Sequence, residues 1–265
     1  MPNHANCWND DTIYDYPGLV SGLQQYLKLK ALPIGMKRLQ SASDMDDIER
    51  LRRPPRETKL ATDQIVGQCR WLGYTLGITM DNLVGEQCGA VVGLSPRDED
   101  FLSGNNFNGV WYGSLEDSAA HQQAMHCASH GDYEALVVSP LTSGRIGNPD
   151  ICLIYATPGQ MITLINGLQW RNYQPCAFTC VGESACADSW GRALATGEPS
   201  VSIPCYAERK FGGVQDDELL VALPPSYLPG IVEGLAALSS NGLRYPIPNH
   251  GLEVSPLASM AKSYG

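Results

Sequence analysis

Four cysteines occur as two pairs with the same spacing. Eighteen residues lie between Cys69 and Cys88, and eighteen lie between Cys186 and Cys205. In each pair the first cysteine falls in a predicted helix and the second follows a turn, a pattern that indicates an internal duplication. Thiolates bind iron–sulfur clusters and zinc, so four of them brought together would form a metal centre. The spacing therefore predicts a cysteine-ligated metal site, with an iron–sulfur cluster favoured over zinc.

A second, local group of cysteines offers another interpretation. Cys176, Cys180 and Cys186 could supply three ligands from one segment, which would leave one iron open to a substrate. The simpler interpretation is that Cys176 and Cys180 are alternate buried residues of one strand. His126 and His130 are four residues apart and could share a metal, but an exposed helix end explains them more simply.

Cys186 and Cys205 also have features of catalytic thiols. If Ser184 caps a helix, Cys186 lies in its first turn, where unpaired backbone N–H groups stabilise a thiolate. Either thiol could then act as a nucleophile in an enzyme without a metal, assisted by an acid or base such as Tyr155 or Tyr206.

Two further segments could orient a substrate. Arg209 and Lys210 follow Cys205 closely, and their charge could lower a thiol pKa or hold an anionic substrate. A surface pair that faces the acidic residues at 216–218 explains them equally well. The turn that ends at Gln160 leads from a strand into a helix N-terminus, which can bind a carboxylate or phosphate, although capping alone explains it equally well. We therefore predict that Gln160 and Arg209 contribute to substrate binding.

Composition and charge exclude several classes of function. The chain has 265 residues, a net charge of −10 and a sequence pI near 4.9, so it lacks the basic surface that nucleic acids and anionic lipids require. No apolar run reaches the roughly 18 residues of a membrane span. Nine cysteines without an export signal are typical of free thiols in a reducing compartment. We therefore expect a cytoplasmic protein with a small-molecule substrate and no nucleic-acid or membrane partner. The sequence leaves open whether the chain forms a homo-oligomer.

The known nucleotide-binding glycine motifs and the Gly-x-Ser-x-Gly elbow are absent, which disfavours nucleotide binding and serine hydrolysis.

Hydrophobic periodicity predicts helices and strands that alternate along the chain. Several links are too short for a crossover helix, so a mixed sheet is favoured over a parallel one. The predicted fold class is α/β (mixed α+β), a single domain with a mixed sheet flanked by helices. The domain spans 18–240, between an N-terminal arm at 1–17 and an extended C-terminal tail at 241–265. The predicted helices are 18–28, 44–51, 62–76, 115–129, 158–171, 184–196 and 228–238; the predicted strands are 33–39, 134–141, 151–157, 176–181, 201–205 and 218–223; 87–94 is ambiguous, and 95–113 is a long loop.

Several blocks of sequence, taken together, are typical of one family. They are 32–38 (LPIGMKR), the dipeptides at 68–69 (QC) and 88–89 (CG), 133–141 (YEALVVSPL), 149–160 (PDICLIYATPGQ), 184–188 (SACAD) and 201–209 (VSIPCYAER). These blocks, spread over roughly residues 20–240, resemble the family called domain of unknown function 169. The resemblance implies that all four paired cysteines belong to the family pattern, which favours them over Cys176 and Cys180. Tyr206 stands where the family pattern has glycine, so the surroundings of Cys205 differ here. The resemblance implies a fold and no reaction.

The favoured hypothesis is a cysteine-ligated metalloenzyme that acts on a small organic molecule by redox chemistry or by Lewis-acid lyase or hydratase chemistry. Two alternatives stay open: a metal-free cysteine-dependent enzyme, and a non-catalytic protein that binds a small molecule. The predicted site residues are Cys69, Cys88, Cys186 and Cys205 as metal ligands, Cys186, Cys205, Arg209 and Tyr155 as catalytic groups, and Gln160 and Arg209 as substrate-binding groups.

Overall fold

The fold is that of a computed structural model, which describes residues 12–248. The predicted arm and tail lie mostly outside this range, and Tyr16 and Pro17 of the arm already belong to the first helix. The strands are β1 (Ile34–Leu39), β2 (Leu76–Thr79), β3 (Ala135–Pro140), β4 (Ile151–Ala156), β5 (Ala177–Phe178), β6 (Ser200–Ser202) and β7 (Leu219–Leu223). The helices are α1 (Tyr16–Leu27), α2 (Thr62–Leu72), α3 (Glu86–Val91), α4 (Glu99–Ser103), α5 (Leu115–Ala124), α6 (Pro158–Leu168), α7 (Arg192–Thr196, preceded by a π-helical turn at Ala187–Gly191), α8 (Tyr206–Gly212) and α9 (Leu228–Ser240).

The strands of the described region form one open sheet in the order β2–β3–β1–β4–β7–β6–β5. Neighbouring strands are antiparallel, except that β5 and β6 are parallel. The sheet is therefore mixed, and the predicted fold class, a single α/β domain with helices around a mixed sheet, is confirmed.

An approximate twofold axis passes through the centre of the sheet. There β1 and β4 run antiparallel, with Gly35 opposite Cys152 and Ile34 opposite Leu153. Outward from this pair, β3 and then β2 follow β1, as β7 and then β6 follow β4. With the short edge strand β5 set aside, the innermost strand of each half comes first in the chain, the outermost second and the middle one last. The two halves therefore share one topology, which is the arrangement that a duplication would produce.

The equal spacing of the cysteine pairs does not follow this symmetry. Gly73 and Gly197 both have a left-handed backbone conformation. Each ends the helix that leads into an outer strand, β2 in the first half and β6 in the second. Cys69 lies four residues before Gly73, whereas Cys186 lies eleven residues before Gly197. The two cysteines therefore occupy different turns of the equivalent helices, and the topology supports the duplication while the cysteine spacing does not.

Helices cover both faces of the sheet. On one face, α1, α6 and α9 pack over Cys152 and Ile154 of β4. On the other face, α2, α3 and the segment around the fully buried Trp190 pack over Leu153 and Tyr155. Alternate residues of β4 thus face two different cores, as the strand period of two requires. Within residues 12–248, no helix combines the length and the apolar character needed to cross a membrane.

The helix predicted at 62–76 ends earlier than its hydrophobic pattern indicates. α2 ends at Leu72 because Gly73 turns left-handed (φ 71°) and donates its N–H to the carbonyl of Cys69. Leu76 then begins β2 instead of extending the helix. Ala61 is the N-cap residue, so Thr62 and Asp63, the two residues of a type that favours a helix cap, both lie inside the first turn.

Cys205 lies at a helix start and not at the end of a strand. The strand predicted at 201–205 is shorter, and Cys205 is the N-cap of α8, which the pattern did not predict. The missed signal is a capping box, because the Glu208 carboxylate accepts the N–H of Cys205 at 3.1 Å.

Other differences are smaller. The acidic helix predicted at 44–51 is a 3₁₀ turn at Ala42–Asp47, the strand predicted at 176–181 is the short β5, and the ambiguous segment forms α3. The long loop at 95–113 contains α4, and α5 ends at Ala124. The remaining predicted helices and strands are confirmed to within a few residues.

Candidate functional site

Three of the four paired cysteines line one cavity. The cavity has a volume of about 320 Å³ and lies where the first turns of α2, α3 and α8 meet the helical segment that begins after Ser184. Cys88 reaches it from α3, Cys186 from that segment and Cys205 from the N-cap of α8. The predicted position of Cys186 in a first helical turn is confirmed.

Close packing of α8 on α2 sets the shape of the cavity. A Cβ atom added to Gly67 of α2 would lie 2.6 Å from the carbonyl oxygen of Gly212, so the two backbones touch. This contact places Cys205, at the start of α8, beside the first turn of α2, where Asp63 lines the cavity. Two glycines that face each other are therefore a structural condition of the site.

The three thiols interact with one another. A hydrogen bond with Cys88, burial and the nearby Cys205 raise the pKa of the Cys186 thiol well above its usual value. Burial, together with the negative charges of Glu208 and Glu183, raises the pKa of Cys205. Both thiols are therefore protonated at neutral pH in the metal-free protein, in contrast to the thiolate that a helix N-terminus alone would favour.

Two carboxyl groups line the same cavity. The Glu183 carboxylate accepts the backbone N–H groups of Tyr206 and Ala207 at 3.2 and 3.3 Å, so it holds the first turn of α8. Asp63 is 3% exposed. Burial, with the charge of Glu183 added to it, raises the pKa of Asp63 to about 6. The walls of the cavity therefore combine thiols and carboxyl groups.

A buried polar network lies behind Asp63. Glu208 is 1% exposed, and Tyr155 donates its hydroxyl to Oε1 of Glu208 at 3.4 Å. The Arg70 guanidinium lies 3.7 Å from the centre of the Tyr155 ring and donates to Glu218 at 2.7 Å. Burial and the charge of Asp63 raise the pKa of Glu208 to about 8. Burial and the charge of Glu208 raise the pKa of Tyr155.

The buried Glu208 predicts a pH dependence of stability in the metal-free protein. The folded state holds the Glu208 proton more tightly than the unfolded state, so this group stabilises the fold fully below 4.5, and the contribution is lost as pH rises to about 8. We therefore expect the free energy of unfolding, measured with urea at a series of pH values, to fall across this window. Asp63 adds a loss of the same sign between 3.8 and about 6. The Glu208→Gln variant should show a flatter profile, and an unchanged slope would contradict the assignment.

Aromatic side chains surround the mouth of the cavity. The rings of Trp111 and Tyr206 lie 5.5 Å apart, and both side chains are about half exposed, as is Phe211. The Nζ atom of Lys210 lies 5.6 Å from the Tyr206 ring and 5.4 Å from the Phe211 ring. Tyr206 thus forms part of the mouth.

Four of the predicted site residues lie elsewhere. Cys69 is fully buried in the core on the same face of the sheet, and burial raises its pKa. Tyr155 lies below the cavity, in the network just described. Gln160 is used structurally, because it caps α6 and donates to the carbonyl oxygens of Leu27 and Lys28. Arg209 donates to the carbonyl of Gln215 at 2.6 Å and points away from the cavity lining.

The alternative ligand sets are separated. Cys176 is half-buried near the carbonyl of Pro199, and Cys180 is exposed; neither lines the cavity with Cys186. His130 bonds to the carbonyl of Gly93. Among the residues at 12–248, no group of three or more His, Cys, Asp and Glu side chains is placed so that it could hold a metal ion.

Comparison with known proteins agrees with the resemblance seen in the sequence. Residues 22–234 match the family domain of unknown function 169, which is described as "Uncharacterised ArCR". The chain belongs to this family. An uncharacterized protein of Methanocaldococcus jannaschii is 34% identical over 129 residues, which are 48% of this chain and 55% of that protein. The match thus spans about half the length of this relative. No solved structure is significantly similar to the chain.

In this member of domain of unknown function 169, sequence reasoning missed Asp63, Glu183 and the aromatic mouth. Asp63 resembles a helix cap in sequence, and Glu183 stands in a polar turn, so neither has a local signal of function. Lys210, which the sequence analysis names beside Arg209, does have a local signal. It lies four residues after Tyr206 on α8, so the two side chains share a helix face, whereas Arg209 lies on another face.

Proposed function

We propose that the chain is an enzyme that holds an iron–sulfur cluster at Cys88, Cys186 and Cys205 and acts on a small organic molecule in a reducing, cytoplasmic compartment. The observation that supports it best is that these three thiols, from three distant segments, line one cavity. Buried cysteines scatter through a core when they serve only as small apolar residues, as Cys69 and Cys152 do here. Three cysteines that line the same cavity therefore need another explanation.

The types of donor in the cavity suit a cationic metal centre, although the side chains as placed do not form one. Thiolates are soft ligands that select iron–sulfur clusters and zinc. Asp63 and Glu183 add acidic groups to the lining, and Lys210 is the single cation that accompanies them among the described lining residues. A bound cation would favour ionised thiols in a setting that otherwise keeps them protonated. Because Cys88 and Cys186 are hydrogen-bonded to each other, ligation would replace this bond and would turn their side chains.

The number of thiols favours Lewis-acid chemistry over electron transfer. A cluster held by Cys88, Cys186 and Cys205 would supply Lewis-acid chemistry, because iron that lacks a fourth protein ligand can polarise an oxygen of a substrate. The predicted fourth ligand, Cys69, lies in the core, apart from the cavity lining. A lyase or hydratase activity is therefore the function that we propose, with the cavity walls excluding bulk water and the lining residues orienting the substrate.

A metal-free thiol enzyme is the second candidate. The first-turn position of Cys186 and its hydrogen bond to Cys88 favour it. However, the raised pKa values of Cys186 and Cys205 oppose it, because a protonated thiol is a poor nucleophile.

The test is the metal content of the protein and of single cysteine variants, purified without oxygen and reconstituted with iron and sulfide. We expect the wild-type protein to contain iron and acid-labile sulfide and to be brown. Cys88→Ser, Cys186→Ser and Cys205→Ser should each lower the bound iron by about tenfold or more, because each removes a ligand. Circular dichroism on the same samples separates loss of iron from loss of fold.

Two control variants sharpen this test. Cys180→Ser removes an exposed thiol outside the cavity and should keep the iron of the wild-type protein. Cys69→Ala should also keep it; loss of iron in a folded Cys69→Ala protein would restore the four-cysteine set. One equivalent of zinc instead of iron would keep the ligands and change the chemistry. Protein that binds neither metal would rule out the proposal and leave the thiol enzyme or a simple binding protein.

A further inference from the structure

We infer that the cavity binds a small monocarboxylate that carries an apolar group of about the size of one ring, with its carboxylate at Lys210. The inference rests on the proposed function in one respect, since it names the substrate class of the same site. It is argued from the aromatic residues and Lys210 at the mouth of the cavity, whereas the proposed cluster depends on the thiols.

The mouth offers apolar surface that the fold itself does not cover. Trp111, Tyr206 and Phe211 line the cavity and are 43%, 57% and 48% exposed. The Trp111 and Tyr206 rings contact each other, with centroids 5.5 Å apart and a tilt of 60°, so together they form one apolar side of the mouth. Aromatic residues with this exposure at a concave site are typical of contacts with an apolar ligand group.

Lys210 gives the same mouth a positive charge. Its ammonium group lies beside the Tyr206 and Phe211 rings, and no ion pair with a carboxylate of the described chain involves it. Its neighbour Arg209 is occupied by Gln215 and lies 3.6 Å from Asp216. Lys210 is therefore available to a ligand, and its aromatic neighbours keep the ammonium group near the mouth of the cavity.

The charge of the interior sets the orientation of the ligand. The buried Asp63 would repel a carboxylate placed deep in the cavity, whereas the carboxylate of Glu183 is already bound to the N–H groups of Tyr206 and Ala207. A carboxylate at the mouth, beside Lys210, avoids this repulsion. The apolar group then lies against Trp111 and Tyr206, and the part of the ligand that faces the thiols is uncharged.

The volume limits the size of the ligand. Small-molecule sites usually measure roughly 300–1,000 Å³, and this cavity, at about 320 Å³, lies at the lower end of that range. This volume accommodates one ring or a branched alkyl group with a short acid side chain.

Isothermal titration calorimetry with three probes tests the inference. Phenylacetate has the ring and the carboxylate, 2-phenylethylamine has the ring with a positive charge, and acetate has the carboxylate alone. We expect the reconstituted protein to bind phenylacetate more tightly than either of the other probes. Lys210→Met should weaken phenylacetate binding by roughly five- to tenfold, because a charge-assisted hydrogen bond is lost, and Lys210→Arg should keep most of it.

The neighbouring cation gives a matched control. Arg209→Met removes the same charge one residue earlier and should leave phenylacetate binding unchanged. Three results would each overturn the inference: 2-phenylethylamine binds more tightly than phenylacetate, the Lys210→Met protein binds phenylacetate as tightly as the wild type, or Arg209→Met weakens phenylacetate binding more than Lys210→Met does. Iron measured in the same samples separates the two proposals: iron-loaded protein that ignores phenylacetate contradicts only this inference, and metal-free protein that binds phenylacetate contradicts only the cluster.

Discussion

Replacing Arg70 with methionine is expected to lower the free energy of unfolding by about 3–5 kcal/mol, because it leaves the buried Glu218 carboxylate without its cation. Arg70 and Glu218 are 1% and 2% exposed, and their N–O distance is 2.7 Å. Glu218 also accepts the N–H of Gln215 at 2.9 Å, so its charge is fixed in place and cannot turn to solvent. Urea unfolding near neutral pH measures the loss.

Two control variants test the electrostatic cause of this loss. Adding Glu218→Gln to Arg70→Met removes the orphaned charge and should recover a large part of the lost stability. Lys30 and Asp217 form an ion pair at 3.0 Å with both side chains more than half exposed, so Lys30→Met should change stability little. An Arg70→Met protein as stable as Lys30→Met would contradict the argument.

The same substitution should reach the candidate site. The charge of Arg70 opposes the rise in the pKa of Glu208, which lies behind Asp63. Without that charge Glu208 should hold its proton to higher pH, so the pH window over which the protein loses stability should move upward. A window that stays where it is in Arg70→Met would show that the network is uncoupled.

The parts of the fold that sequence could predict are those in which a local pattern decides the structure. The buried strands β3 and β4 are continuous apolar runs, and α6 begins at a threonine and proline that fit a helix start. Leu76 shows the limit of the pattern: it continues the apolar face of α2, but a left-handed glycine three residues earlier ends the helix and turns Leu76 into a strand residue.

The sequence could predict the thiols of the candidate site but not the other residues that line the cavity. Cys88, Cys186 and Cys205 were identified because cysteine carries its chemistry in its residue type. The equal spacing then added Cys69, which the fold places in the core, since spacing along a chain does not fix which helix turn faces a cavity. Asp63 and Trp111 come from other segments of the chain than Cys88, Cys186 and Cys205, and only the folded structure brings them to the same cavity.

Replacing Gly67 with alanine is expected to destabilise the protein by about 1–3 kcal/mol, because the added methyl group has no space. Its Cβ atom would lie 2.6 Å from the Gly212 carbonyl oxygen, a backbone atom that cannot move without moving α8. Since Cys205 begins α8, the displacement should also open the cavity. We expect faster alkylation of Cys205 by iodoacetamide, followed by mass spectrometry of the peptide that contains it.

Gly230 provides the matched control for this effect. It also lies in a helix, α9, but nothing stands within 4 Å of an added Cβ atom. Gly230→Ala should therefore stabilise the protein slightly, by up to about 1 kcal/mol, and should leave the alkylation rate of Cys205 unchanged. The two glycine variants differ only in whether a helix backbone blocks the new methyl group. If both behaved alike, the contact between α2 and α8 would not be what holds Cys205 at the cavity, and the argument that this contact builds the site would fail.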